Sequence, residues 1–164
     1  STAFPTTCSR STTTRRAGAR CSLERRTDVS WRSDILSNLE TTLKGMTEFA
    51  DASVITGKAE EVDLDSVTFP LAFILQGPER KAQGPVGFET WDWTVVVEVW
   101  CRDSSVETLY AAVHQAISAD IYRNTKALNT NRDGGDVISL DPGRTLSVFQ
   151  HTYQILYRHP FGTP

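Results

Sequence analysis

The chain has little cysteine, and what it has forms no recognisable framework. Its 164 residues include three cysteines, Cys8, Cys21 and Cys101, an odd number with no C-x-x-C pair near a histidine. Disulfide scaffolds and zinc sites both need regularly spaced cysteines. We therefore expect a reduced, intracellular protein with neither a disulfide framework nor a metal site.

Long apolar runs and catalytic signatures are also missing. No stretch of 18 apolar residues occurs, so we expect no membrane association, and the first residues lack the apolar core of a secretory signal. The phosphate-binding, dinucleotide-binding and nucleophile-elbow glycine patterns are absent as well. His114 has no second ligand at the spacing of a metal site, and the acidic stretch 60–65 lacks the pattern of a calcium loop. Cys101 could act as a nucleophile only with a general base, and the sequence does not indicate one. The sequence predicts no catalytic residue, no cofactor and no enzymatic activity.

What the chain does have is an uneven distribution of charge. Residues 1–30 carry six arginines against Glu24 and Asp28, whereas the rest carries 11 basic against 18 acidic residues. Residues 1–29, here called the basic arm, are rich in serine and threonine and too poor in apolar residues to form a core. We expect the arm to dock on a partner, with Arg15, Arg16 and Arg20 as contact candidates, ahead of a single domain at 30–164. Such a composition is also typical of an organelle transit peptide, and this alternative stays open.

The periodicity of the domain predicts seven elements in the order α-β-β-β-α-β-β. Apolar residues recur at helical spacing over 31–46 and 104–122, and Ser104 with Glu107 has the spacing of a capping box. Strands are predicted at 53–57, 68–75, 91–100, 137–140 and 145–157, with Pro70 near a strand start. Because the two longest strands alternate apolar and polar residues, one sheet face must be covered. The fold class is therefore α+β, a two-layer sandwich of a mainly antiparallel sheet with both helices on one face.

Two segments rich in turn residues, 76–90 and 123–136, are predicted to be loops. A structureless loop of 15 residues is uncommon in a compact domain and usually functional. We expect the first loop to project from the sheet, with Glu79, Arg80 and Lys81 at its exposed tip, and to contact a neighbouring subunit or another protein of the same assembly.

Three of the four tryptophans lie in "ETWDWTVVVEVW", residues 89–100. Trp91 and Trp93 share a strand face with three valines, so we expect them in the core, whereas Trp100 points to the opposite face and is an interface candidate. Exposed rings at 91 and 93 would instead favour a carbohydrate-binding module.

The segments "DILSNLETTL", "FPLAFILQGPE", "WTVVVEVWCRD", "VETLYAAVHQAISADI" and "LSVFQHTYQILYR", in this order, resemble the tail terminator proteins of long-tailed bacteriophages, the family of the lambda gene U product. The likeness spans about residues 30–160 and rests on layout and hydrophobic pattern. The long basic arm departs from the family, whose members begin close to the first helix.

The resemblance implies a structural virion protein that assembles in the host cytoplasm as a hexameric ring in the tail–neck region. Such a ring caps the tail tube, joins it to the head connector, and lets genomic DNA pass without binding it specifically. Its partners would be further copies of itself, the tail tube protein and the connector or neck proteins. A carbohydrate-binding module and a small organelle-targeted enzyme remain the alternatives.

Overall fold

The computed structural model describes residues 30–50, 53–57, 63, 66–102, 106–139 and 146–160. Within these residues the seven predicted elements occur in the predicted order. They are α1 (Trp31–Lys44), β1 (Val54–Thr56), β2 (Leu71–Ala82), β3 (Phe88–Arg102), α2 (Val106–Ser118), β4 (Ala127–Ser139) and β5 (Leu146–Pro160). Ser104, the predicted N-cap of α2, lies outside the described residues, as does the whole basic arm.

The five strands form one sheet in the order β1-β2-β3-β5-β4. The short β1 runs parallel to β2, and every other neighbouring pair is antiparallel. β3 and β5 are the longest strands and pair over their whole length, from Phe88 opposite Pro160 to Arg102 opposite Leu146. The predicted α+β class, with a mainly antiparallel sheet, is confirmed.

Both helices pack on the same face of the sheet, here called the inner face, and the core lies between the two layers. Helix residues 35, 39, 43, 109, 113 and 117 are buried against inner-face side chains of β3 and β5, among them Trp93, Val97 and Tyr153. Ser30 begins α1 by accepting a hydrogen bond from the backbone N–H of Ser33, which satisfies one of the otherwise unpaired donors of the first turn. The opposite sheet face, the outer face, carries no described helix.

The prediction of a loop at 76–90 is wrong. β2 continues to Ala82 and β3 begins at Phe88, so only residues 83–87 connect the two strands. Gly77 and Pro78, which looked like turn residues, lie at a β-bulge between Gln76 and Glu79. Proline is tolerated there because β1 pairs only with the start of β2, which leaves this part of the strand edge without a described neighbour. The turn itself uses Gly87, whose φ of 89° suits glycine.

The prediction of a loop at 123–136 is also wrong, since β4 begins at Ala127 and incorporates the polar stretch as an edge strand. Two register shifts in β4, between Ala127 and Asn129 and between Arg132 and Gly134, accommodate residues of low strand propensity. Pro70, in contrast, immediately precedes β2, as the sequence predicts.

Candidate interaction surfaces

The two tryptophans of the inner face belong to the core. Trp93 is completely buried and meets the Tyr157 ring edge to face, with centroids 6.4 Å apart. Trp91 is partly buried and packs against the same core. A carbohydrate platform needs exposed rings, so the burial of Trp93 counts against that alternative. The indole N–H groups of both residues are buried without a hydrogen-bond acceptor among the described residues.

Glu79 lies on the inner face of β2 and not at a loop tip. Its carboxylate accepts a hydrogen bond from the Tyr157 hydroxyl and one of 3.4 Å from Arg32 Nη1. The Arg32 guanidinium also lies 4.7 Å from the centre of the Trp93 ring and donates to Gln76 Oε1 at 2.8 Å. Burial, followed by the bond to Glu79, raises the pKa of Tyr157. Glu79 therefore ties the start of α1 to the sheet, a structural role that the sequence did not reveal.

Lys81 shares the inner face but is more exposed. Its Nζ donates to Glu89 Oε1 at 2.9 Å and lies 5.9 Å from the centre of the Trp91 ring. The hydrogen bond from Lys81 is the main cause that lowers the pKa of Glu89. Arg80 points to the outer face, directly across from Asp92. The three residues predicted to form one exposed tip are thus divided between two faces, and the tip itself presents Val86, which is fully exposed.

Trp100 lies on the outer face, as its strand position predicts. Its ring meets Phe73 edge to face at 5.7 Å, and its indole N–H donates to Glu98. Gln150 of β5 donates to the other oxygen of the same carboxylate. Phe73 is completely buried whereas Trp100 remains partly exposed. Trp100 consequently both packs and presents surface, which keeps it an interface candidate.

A group of aromatic and basic side chains joins α2 to β4 and β5. His151 is completely buried, its Nε2–H donates to the Tyr110 carbonyl at 3.0 Å, and its ring centre lies 4.1 Å from that of Tyr110. His114 lies with its ring centre 5.8 Å from that of His151. Arg132 donates to the Tyr110 hydroxyl and lies over the Tyr110 ring.

Burial lowers the pKa of His151 to about 4, and burial also lowers the pKa of His114. No described residue forms a hydrogen bond with His151 Nδ1. His151 lies on the inner face of β5, and His114 lies at a partly exposed position of α2. Both histidines are therefore neutral imidazoles that help to pack α2 on the sheet.

A buried arginine forms hydrogen bonds at the C-terminal end of α2. Arg123 is completely buried and donates to the Ile117 carbonyl, to Thr130 Oγ1 at 3.2 Å and to Asn38 Oδ1 at 3.4 Å. Burial lowers its pKa. Arg123, Asn124 and Thr125 have positive φ angles of 48°, 52° and 67°. Nothing in the sequence pattern signals this left-handed turn, because none of the three residues is a glycine.

A cavity of about 670 Å³ lies where β3 ends and α2 begins. Its walls include Phe69, Pro70, Cys101 and Leu109, with Arg102 and Glu48 also lining it. A smaller cleft of about 270 Å³ crosses the outer face. In the part of the chain that the structure describes, no group of three or more histidine, cysteine or acidic residues could hold a metal ion. No described helix is long and apolar enough to cross a membrane.

The predicted interface residues therefore do not form one site. Glu79 and Lys81 lie on the inner face, Arg80 and Trp100 lie on the outer face, and Arg15, Arg16 and Arg20 lie outside the described residues. Asp92 and Asp133, which line the outer-face cleft with Arg80, were not singled out from the sequence. The sequence matches no protein family model and no curated protein.

Proposed function

We propose that this chain is a structural subunit of a long-tailed bacteriophage virion, a tail terminator that forms a ring on the end of the tail tube and joins it to the head connector. The observation that carries the proposal is the layout of the domain. Two helices cover one face of a five-stranded sheet, in the element order on which the resemblance rests. The outer face, free of described helices, offers a second large surface for contacts between copies.

A ring of six copies follows from the symmetry of the partner. A subunit that ends a sixfold tube must match its symmetry, and head-to-tail contacts close a ring when the rotation between neighbours fits. Such contacts join two different patches of one chain. The outer face with Trp100 and the hairpin tip with exposed Val86 are two surfaces of this kind.

The charge of the domain suits passage of DNA through the ring. Outside the first 30 residues, acidic residues outnumber basic ones by 18 to 11. Binding to DNA depends on neutralising phosphates with lysine and arginine, so an acidic lumen lets the genome slide without being held. The nucleic acid is then cargo in transit and no specific ligand.

The test is the position of this chain in an intact virion. Cryo-electron microscopy of purified particles should show it as a sixfold ring between the tail tube and the head. Mass spectrometry of the same particles gives an independent measure of its copy number. If the chain is absent from the virion, or present outside the neck, the proposal is wrong.

A further inference from the structure

The outer-face cleft lies between two β-bulges at the same level of the sheet. The bulge of β2 lies opposite Trp93–Val95 of β3, and the bulge of β4 lies opposite Thr152–Tyr153 of β5. Val95 pairs with Tyr153, so the two bulges lie at the same level of the sheet. Bulges bend a strand and increase its twist. Pro78 and Asp133 lie in the two bulged stretches, and both line the cleft. The bulges of β2 and β4 thus shape one concave site, whose floor is the pair Thr94 and Gln154, joined by a hydrogen bond of 3.2 Å.

The charges in the cleft are not paired with one another. Arg80, Asp92 and Asp133 line it, and none of their side chains makes a hydrogen bond or ion pair with another described residue. The two carboxylates outnumber the one guanidinium, while the hydroxyl of Thr94 and the amide of Gln154 add polar groups. A concave site with free carboxylates favours a cationic side chain that can donate several hydrogen bonds.

We propose that this cleft binds arginine side chains from the basic arm of a second copy of the chain. The planar guanidinium presents five donors and matches carboxylates in a bidentate manner, which an ammonium group cannot do. The arm carries six arginines and no lysine. Its charge is opposite to that of the cleft, and 29 residues can span up to roughly 95 Å when extended. This inference rests on the proposed assembly of several copies, and it names the surface that receives the arm.

The placement of α1 favours a neighbouring copy over the chain's own cleft. α1 begins on the inner face, where Arg32 contacts Glu79 and Trp93. The cleft lies on the opposite face of the same sheet. To reach it within one chain, the arm must turn around the edge of β2. A second copy beside that edge can receive the arm directly.

Disulfide trapping tests the proposal, because the arm already carries Cys8 and Cys21. Asn131 pairs with Gln154 at the rim of the cleft and is exposed, so Asn131→Cys adds a thiol there without removing a cleft charge. Gln115→Cys is the matched control, since residue 115 is equally exposed but lies on α2. Both full-length variants are oxidised at low and high salt, and the crosslinks are mapped by mass spectrometry.

Two surface ion pairs formed together correspond to about a tenfold gain in association, so Asn131→Cys should give about ten times more arm-linked dimer than Gln115→Cys. High salt should remove most of the excess, because exposed charges are screened. Adding Asp92→Asn and Asp133→Asn should do the same at low salt. Equal yields from the two cysteine variants would overturn the proposal, and so would a link confined to one chain. Because the assay uses purified protein, its failure leaves the virion test intact, and absence from the virion does not alter the crosslinking result.

Discussion

Acidification should destabilise the folded protein through His151. The imidazole is completely buried, donates from Nε2 to the Tyr110 carbonyl and leaves Nδ1 without a partner. A proton added at Nδ1 would create a buried cation beside Arg132 and His114, which both oppose it. The Tyr110, Phe149 and Tyr153 rings surround the site and offer no negative charge. Protonation of His151 is therefore coupled to unfolding.

The size of the effect follows from the two pKa values. The imidazole has a pKa of 6.5 when unfolded and about 4 when folded. Between these values the unfolded chain binds more protons, so the free energy of unfolding falls as the pH falls. A pH of 5 lies 1.5 units below the unfolded pKa, and each unit corresponds to about 1.36 kcal/mol. His151 therefore lowers the free energy of unfolding at pH 5 by about 2 kcal/mol relative to neutral pH. For a domain of this size the loss lowers the melting temperature by roughly 4–8 °C.

Urea denaturation of the wild type and of His151→Phe at pH 7.5 and pH 5 measures this loss. Phenylalanine fills an aromatic environment but cannot titrate, and its lost hydrogen bond to Tyr110 lowers stability at both pH values alike. The difference in unfolding free energy between the two pH values should be about 2 kcal/mol smaller for His151→Phe than for the wild type. His159→Gln controls for loss of a histidine from the same strand. An equal pH dependence in the wild type and His151→Phe would refute the reasoning.

Three further predictions concern the core, the hairpin tip and the left-handed turn. Trp93→Ala removes a fully buried ring and should cost about 3–5 kcal/mol of unfolding free energy, clearly more than Trp100→Ala at a partly exposed outer-face position. Equal losses would show that Trp93 is not a core residue. Val86→Asp should change the unfolding free energy by less than about 0.5 kcal/mol, because the side chain is fully exposed. Under the proposed terminator function it should nevertheless reduce the yield of tails joined to heads, and normal joining would make the tip a spacer. The change in unfolding free energy should be about 1 kcal/mol more favourable for Thr125→Gly than for Asn124→Gly, because a β-branched residue is more strained than asparagine at positive φ. Identical melting curves for the two variants would contradict this.

The sequence by itself determined the order of the elements and the faces that they bury. Alternation in β3 placed Trp93 and three of the valines on one face and Trp100 on the other, since successive side chains of a strand point to opposite sides. Helical spacing over 31–46 likewise predicted the amphipathic helix α1, whose buried residues are Ile35, Leu39 and Leu43. These patterns are local, so a single segment carries the information needed to read them.

Only the tertiary structure decided where β2 ends, where β4 begins and which polar groups meet. Gly77, Pro78 and the Asn- and Gly-rich start of β4 read as loops because their intrinsic strand propensity is low, but pairing with β3 and β5 draws them into the sheet with bulges. Propensity is a weak local preference that pairing with a neighbouring strand can overrule. The contacts of Glu79 with Arg32 and Tyr157, and the cleft that unites Arg80, Asp92 and Asp133, join residues distant in sequence. Such sites arise from strand register and bulge position, which no single segment specifies.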